Sequence, residues 1–97
     1  MIRHVVVFTW KTEATDEQKQ QVSTSLAALP GLVPGVRGYT FGPDVRINEG
    51  NGDFAIVADF DTMADYLTYR DHPDHLKVIT NVVRPIAAQR SAVQFEA

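Results

Sequence analysis

The chain has 97 residues, 44% hydrophobic and 22% charged, with a formal net charge of -3. That composition describes one globular domain over residues 1–97 and excludes both a disordered chain and two independent domains. With no cysteine, disulfides, thiolate metal sites and cysteine nucleophiles are excluded, and a pI of about 5.4 argues against sequence-independent nucleic-acid binding.

Ile2 to Trp10 reads as a strand, rich in β-branched and aromatic residues. One face carries His4, Val6, Phe8 and Trp10, the other Arg3, Val5, Val7 and Thr9, so both faces are largely apolar. Thr15-Asp16-Glu17-Gln18 is a capping box that opens a helix from about Asp16 to Leu29. Val22, Leu26 and Leu29 give it a narrow apolar stripe, and Pro30-Gly31 is expected to end it. A second strand is expected from about Val36 to Val45, weakened by Gly38 and Gly42, and Asn48 to Asp53 reads as a turn-rich loop. Phe54 to Phe60 forms a third strand, with Phe54, Ile56, Ala58 and Phe60 on one face. Asp61-Thr62 caps a helix from about Met63 to Tyr69, which His72-Pro73 interrupts. A further helical segment runs from Pro73 to about Val83, and Arg90 to Phe95 is the last strand.

The order β-α-β-β-α-β is that of a ferredoxin-like α+β fold, a four-stranded antiparallel sheet with its helices on one face. A domain this small buries only roughly 60–65% of its unfolded surface, and nothing in the chain is left to cover the second face. Val5, Val7, Ala55 and Val57 would lie there. An exposed apolar patch of that kind marks an association surface, so a homodimer packed sheet to sheet is expected. The alternative is a mildly apolar face open to water. No apolar run reaches the ~20 residues of a membrane helix, and the apolar stretch of Met1 to Phe8 is too short for a signal peptide. A cytoplasmic location is expected, with neither membrane nor nucleic acid as a partner.

Any proton-transfer chemistry falls to three histidines, His4, His72 and His75, and to tyrosine. His75, in the first turn of the segment that Pro73 opens, would be held neutral by the helix N-terminus. The pair His72 and His75 invites a metal reading. Pro73 disturbs the geometry and no third ligand is near in sequence, so no metal is expected and His72 is read as capping the helix break. His4 shares a strand face with Val6 and Phe8, and Ile56 lies on the same side. If that face meets the Val22–Leu26 stripe, an apolar cleft results, which Tyr69 and His75 can reach from the helix layer. The competing account is that these side chains simply fill the core. Trp10 is read as an edge-of-core anchor, and Asp59 and Asp61 as strand-end residues rather than an acid pair.

The segment Tyr69-x-x-His72-Pro73-x-His75, with the strand Arg3 to Phe8, Phe60-Asp61-Thr62 and the helix start at Thr15, resembles the stress-responsive A/B barrel (Dabb) family over almost the entire chain. The resemblance implies a dimeric α+β barrel. Within the family the chain is similar to cofactor-free polyketide cyclases of the olivetolic acid cyclase kind. By that resemblance His75 is the general base, Tyr69 its polar partner or substrate orienter, and His4 a further polar group. Val6, Phe8, Val22, Leu26 and Ile56 would line the substrate pocket. Val22 and Leu26 stand where such cyclases carry aromatic groups, so the cavity and its substrate must differ. Three functions follow: a cyclase or lyase that needs no cofactor and takes a small apolar or polyketide-like ligand; a non-catalytic stress-responsive or ligand-binding dimer; and a cofactor-free monooxygenase of the antibiotic-biosynthesis type.

Overall fold

β1 (Ile2–Trp10) lies inside a four-stranded sheet of order β2-β3-β1-β4 in the computed structural model, which describes residues 1–97. Its neighbours are β3 (Phe54–Phe60) and β4 (Ala87–Glu96), both antiparallel, and β2 (Val36–Pro43) completes the sheet beyond β3. This is the ferredoxin-like α+β architecture. The register sets Val6 opposite Ile56 on one side and Ala92 on the other. The alternation of β1 therefore continues across the sheet. His4, Val6, Phe8 and Trp10 share a buried face with Phe54, Ile56, Ala58 and Phe60.

α1 (Asp16–Leu32) begins with the expected capping box: Gln18 N–H donates to Thr15 Oγ1 at 3.1 Å, and Thr15 N–H to Gln18 Oε1 at 2.9 Å. Its stripe of Val22, Leu26 and Leu29 is buried in the core. The helix does not stop at Leu29. Pro30 lacks an N–H to give to Leu26, yet one more turn forms, closed by Val33 N–H on the Leu29 carbonyl at 2.9 Å. Leu29 and Val33 are both buried, and their packing holds that turn against the missing bond.

α2 (Met63–Asp71) starts at Thr62, whose hydroxyl accepts from Asp65 N–H, and extends one half-turn past the expected Tyr69. α3 (Pro73–Val78) starts at His72, whose Nδ1 accepts from Asp74 N–H at 3.1 Å, the expected cap. The segment then changes geometry: Ile79–Val83 is a π-helical turn, closed by Arg84 N–H on the Ile79 carbonyl. β2 ends at Pro43 rather than Val45: Asp44 N–H still meets the Asp53 carbonyl, but Asp53 N–H goes to the Phe8 carbonyl instead of back to Asp44, and Val45 is left exposed. β4 begins at Ala87 rather than Arg90, since β1 offers pairing partners as far as Trp10.

The helices cover one face only. On the other lie Val5, Val7, Val57, Val93 and Phe95, with Val93 54% and Phe95 46% exposed. At its edge Arg3 and Asp59 form a two-pronged ion pair at 2.8 and 3.1 Å. Asp61 pairs with Arg37, so the two aspartates serve separate arginines. No helix is long and apolar enough to cross a membrane.

Candidate functional site

Between the sheet and the segment from α2 through α3 to the π-helical turn lies a cavity of about 330 Å³, within the usual size of small-molecule sites. Val6, Phe8 and Ile56 form its sheet wall; Leu76, Ile79 and Val83 form its helical wall. The π-helical turn contributes to that wall. Its wider repeat carries Ile79, Val83 and the following Arg84 to one cavity, and such turns recur at functional sites.

His4, Tyr69 and His75, far apart in sequence, come together here. The Tyr69 and His75 ring centres are 4.2 Å apart, and those of His4 and Tyr69 are 6.2 Å apart. Tyr66, one helical turn before Tyr69, packs on His4 at 5.0 Å. Val6, Phe8 and Ile56 also border the cavity. Val22 and Leu26 do not. Both are wholly buried in the core, with no surface left to offer a ligand. Trp10 likewise stays outside the cavity and stacks on Phe8 as a core anchor.

Hydrogen bonding fixes the two histidines in complementary states. His75 Nδ1 lies 3.0 Å from the Arg70 carbonyl. A carbonyl only accepts, so Nδ1 carries the proton and the neutral ring keeps its lone pair on Nε2. His4 Nδ1 accepts from Gln94 Nε2 at 2.8 Å, which places the proton of neutral His4 on its own Nε2. Every sealed-in polar side-chain atom has a partner, so both unpartnered Nε2 atoms reach open space, and both rings border the cavity. The site thus pairs an acceptor with a donor.

Burial keeps both rings neutral. It pushes His4 down to about 4, helped by the positive charge of Arg90 and by His75. It also lowers His75, against the bond to the Arg70 carbonyl and with help from Arg90 and His72. Burial raises Tyr69, whose hydroxyl meets that of Tyr39 at 2.8 Å, so the phenol stays protonated. What Tyr69 presents to His75 is its ring; its hydroxyl is taken by Tyr39.

The His4 shift predicts how stability follows pH. Unfolded, His4 takes up its proton near pH 6.5; folded, only near pH 4. Between those values the unfolded chain binds more protons, so acidification destabilises the fold, by on the order of 3 kcal/mol from this ring once pH reaches 4. In His4→Asn the amide oxygen can still accept from Gln94, and no titrating group remains. Urea unfolding at fixed protein concentration should show a smaller stability loss from pH 7 to pH 4.5 in the variant than in the parent.

Sequence reasoning missed Gln94, Tyr39, Tyr66 and the arginines of the cavity. Gln94 and Arg90 could have been found only with the β4 register, which sets them opposite His4 and Phe8. His72 and His75 do not converge, since their Nδ1 atoms serve different backbone groups, and no three His, Asp or Glu side chains gather to hold a metal.

The model of the Stress responsive A/B Barrel Domain family matches residues 2–97. The chain belongs to this family, Dabb. A dimeric ferredoxin-like protein of unknown function from Thermobifida fusca is 42% identical to the Dabb chain, with a TM-score of 0.92 over 99% of this chain and 90% of that one. Two functionally named structures share the fold at lower identity. The hydroxynitrile lyase of Passiflora edulis is 18% identical, with a TM-score of 0.85 over 97% of this chain and 90% of its own. SnoaB, a cofactor-independent oxygenase from Streptomyces nogalater, is 17% identical, with a TM-score of 0.78 over 99% and 91%. None of the curated proteins matches the Dabb chain.

Proposed function

We propose that this Dabb chain is a homodimeric small-molecule enzyme that needs no cofactor and works by proton transfer, of the cyclase or lyase kind. His75 Nε2 removes a proton from carbon beside an electron-withdrawing group, and His4 Nε2–H stabilises the negative charge that develops. Tyr69 holds the His75 ring in position. One observation carries this reading: the Arg70 carbonyl occupies His75 Nδ1, leaving a neutral nitrogen base free in an apolar cavity. A base of lowered pKa is in its working form at neutral pH.

The dimer pairs the two helix-free sheet faces. Its support is the apolar row of Val5, Val7, Val57, Val93 and Phe95, together with the dimeric state of the Thermobifida fusca protein. The cytoplasm is the proposed location.

The neutral compound 5-nitrobenzisoxazole tests the base directly. Removing the C3 proton of its isoxazole ring turns the C=N bond into a nitrile as the N–O bond breaks, and releases a coloured phenolate with no cofactor required. Saturable release is expected, rising with pH as a group with a pKa below 6.5 loses its proton. A rate that shows no saturation and matches free imidazole at equal concentration would overturn the assignment.

A further inference from the structure

The chain has six arginines. Four are ion-paired: Arg3 with Asp59, Arg37 with Asp61, Arg46 with Asp53 and Arg70 with Asp71. The remaining two, Arg84 and Arg90, have no carboxylate within 4.0 Å, and their side chains donate no hydrogen bond within the chain. Both border the cavity, and no aspartate or glutamate does. In a chain of net charge -3, the two unpaired guanidinium groups are thus gathered at one apolar site.

They arrive there from different elements. Arg84 follows the π-helical turn. Arg90 lies on β4 opposite Phe8, on the face that also carries Val6 and His4. Both are exposed while bordering the cavity, which places them at its opening, with the buried Val6, Phe8, Ile56 and His4 deeper and His75 half-buried between. We propose that Arg84 and Arg90 form an anion subsite at the cavity mouth, selecting ligands with an apolar body and a terminal carboxylate. The guanidinium fork matches a carboxylate in two-pronged fashion. The apolar part then points inward, towards His75 and His4. Arg90 and His4 sit on neighbouring strands and share a sheet face, and the positive charge of Arg90 bears on both histidine rings.

This inference deepens the proposed function by naming the class of ligand, and its test reads binding rather than turnover. Phenylacetate and its neutral counterpart 2-phenylethanol are titrated into the full chain, with affinities taken from amide chemical shifts. The carboxylate should bind at least about tenfold more tightly, and its preference should weaken with added salt. In Arg84→Gln/Arg90→Gln that preference should vanish, with the melting temperature unchanged because neither side chain has a partner to lose. His75→Asn should keep the preference. Equal affinity for acid and alcohol, or a preference that survives in the double variant, overturns the subsite. Failure of 5-nitrobenzisoxazole turnover with the preference intact overturns only the base.

Discussion

His75→Asn is expected to lower the release of phenolate from 5-nitrobenzisoxazole by about 10²- to 10⁴-fold, the usual contribution of a positioned general base. Asparagine is the informative replacement. Its amide N–H can still donate to the Arg70 carbonyl where Nδ1 does now, so the local backbone contact survives while Nε2 is removed. The melting temperature should stay close to that of the parent. A comparable loss of stability would assign His75 a packing role, and an unchanged rate would remove it from the chemistry. The remaining rate should also lose its rise with pH below 6.5, because the titrating base is gone.

Val5→Asp should split the dimer. Val5 lies near the middle of the helix-free face, opposite Val57 on β3 and Val93 on β4. An unpaired carboxylate closed into an apolar interface costs about 3–5 kcal/mol, and a two-fold assembly carries the substitution twice. Sedimentation at micromolar concentration should show the parent as a dimer and the variant as a monomer. Val93→Asp, on the neighbouring strand, should weaken the same interface. A parent that sediments as a monomer would sink the sheet-to-sheet pairing.

The strand alternation was the legible part of this sequence. Val6 and Phe8 against Val5 and Val7 revealed two apolar faces, and the count of helices left one of them uncovered. The capping box at Thr15 and the His72 cap were equally readable, because each depends on residues two or three positions apart. Pro30 misled because its lost hydrogen bond is local, whereas the burial of Leu29 and Val33 that outweighs it is tertiary. Val22 and Leu26 misled for a related reason. Helical spacing identifies an inward stripe but does not distinguish a cavity wall from solid packing. The neutral state of His75 was expected from a helix N-terminus, whereas burial is its main cause; the tautomer pattern was out of reach altogether. It depends on where the Arg70 carbonyl points after the helix breaks at Pro73, and on a β4 register that sets Gln94 beside His4.

β1 has consequences for how this protein can change in length. Its odd and even residues face opposite ways, so neighbouring positions belong to the cavity and to the open face: His4 beside Val5, Val6 beside Val7. Substitutions can therefore retune one side without touching the other. A single residue inserted between Val5 and Phe8 cannot, because it reverses the facing of every residue on one side of it relative to the other. With β3 and β4 both paired to β1, neither neighbour can slide to follow. Insertions and deletions should therefore be tolerated in the Asp44–Asp53 loop and eliminated from β1. A library of single-residue insertions, scored for expression of folded protein, would show the central strand as a gap in the tolerated positions.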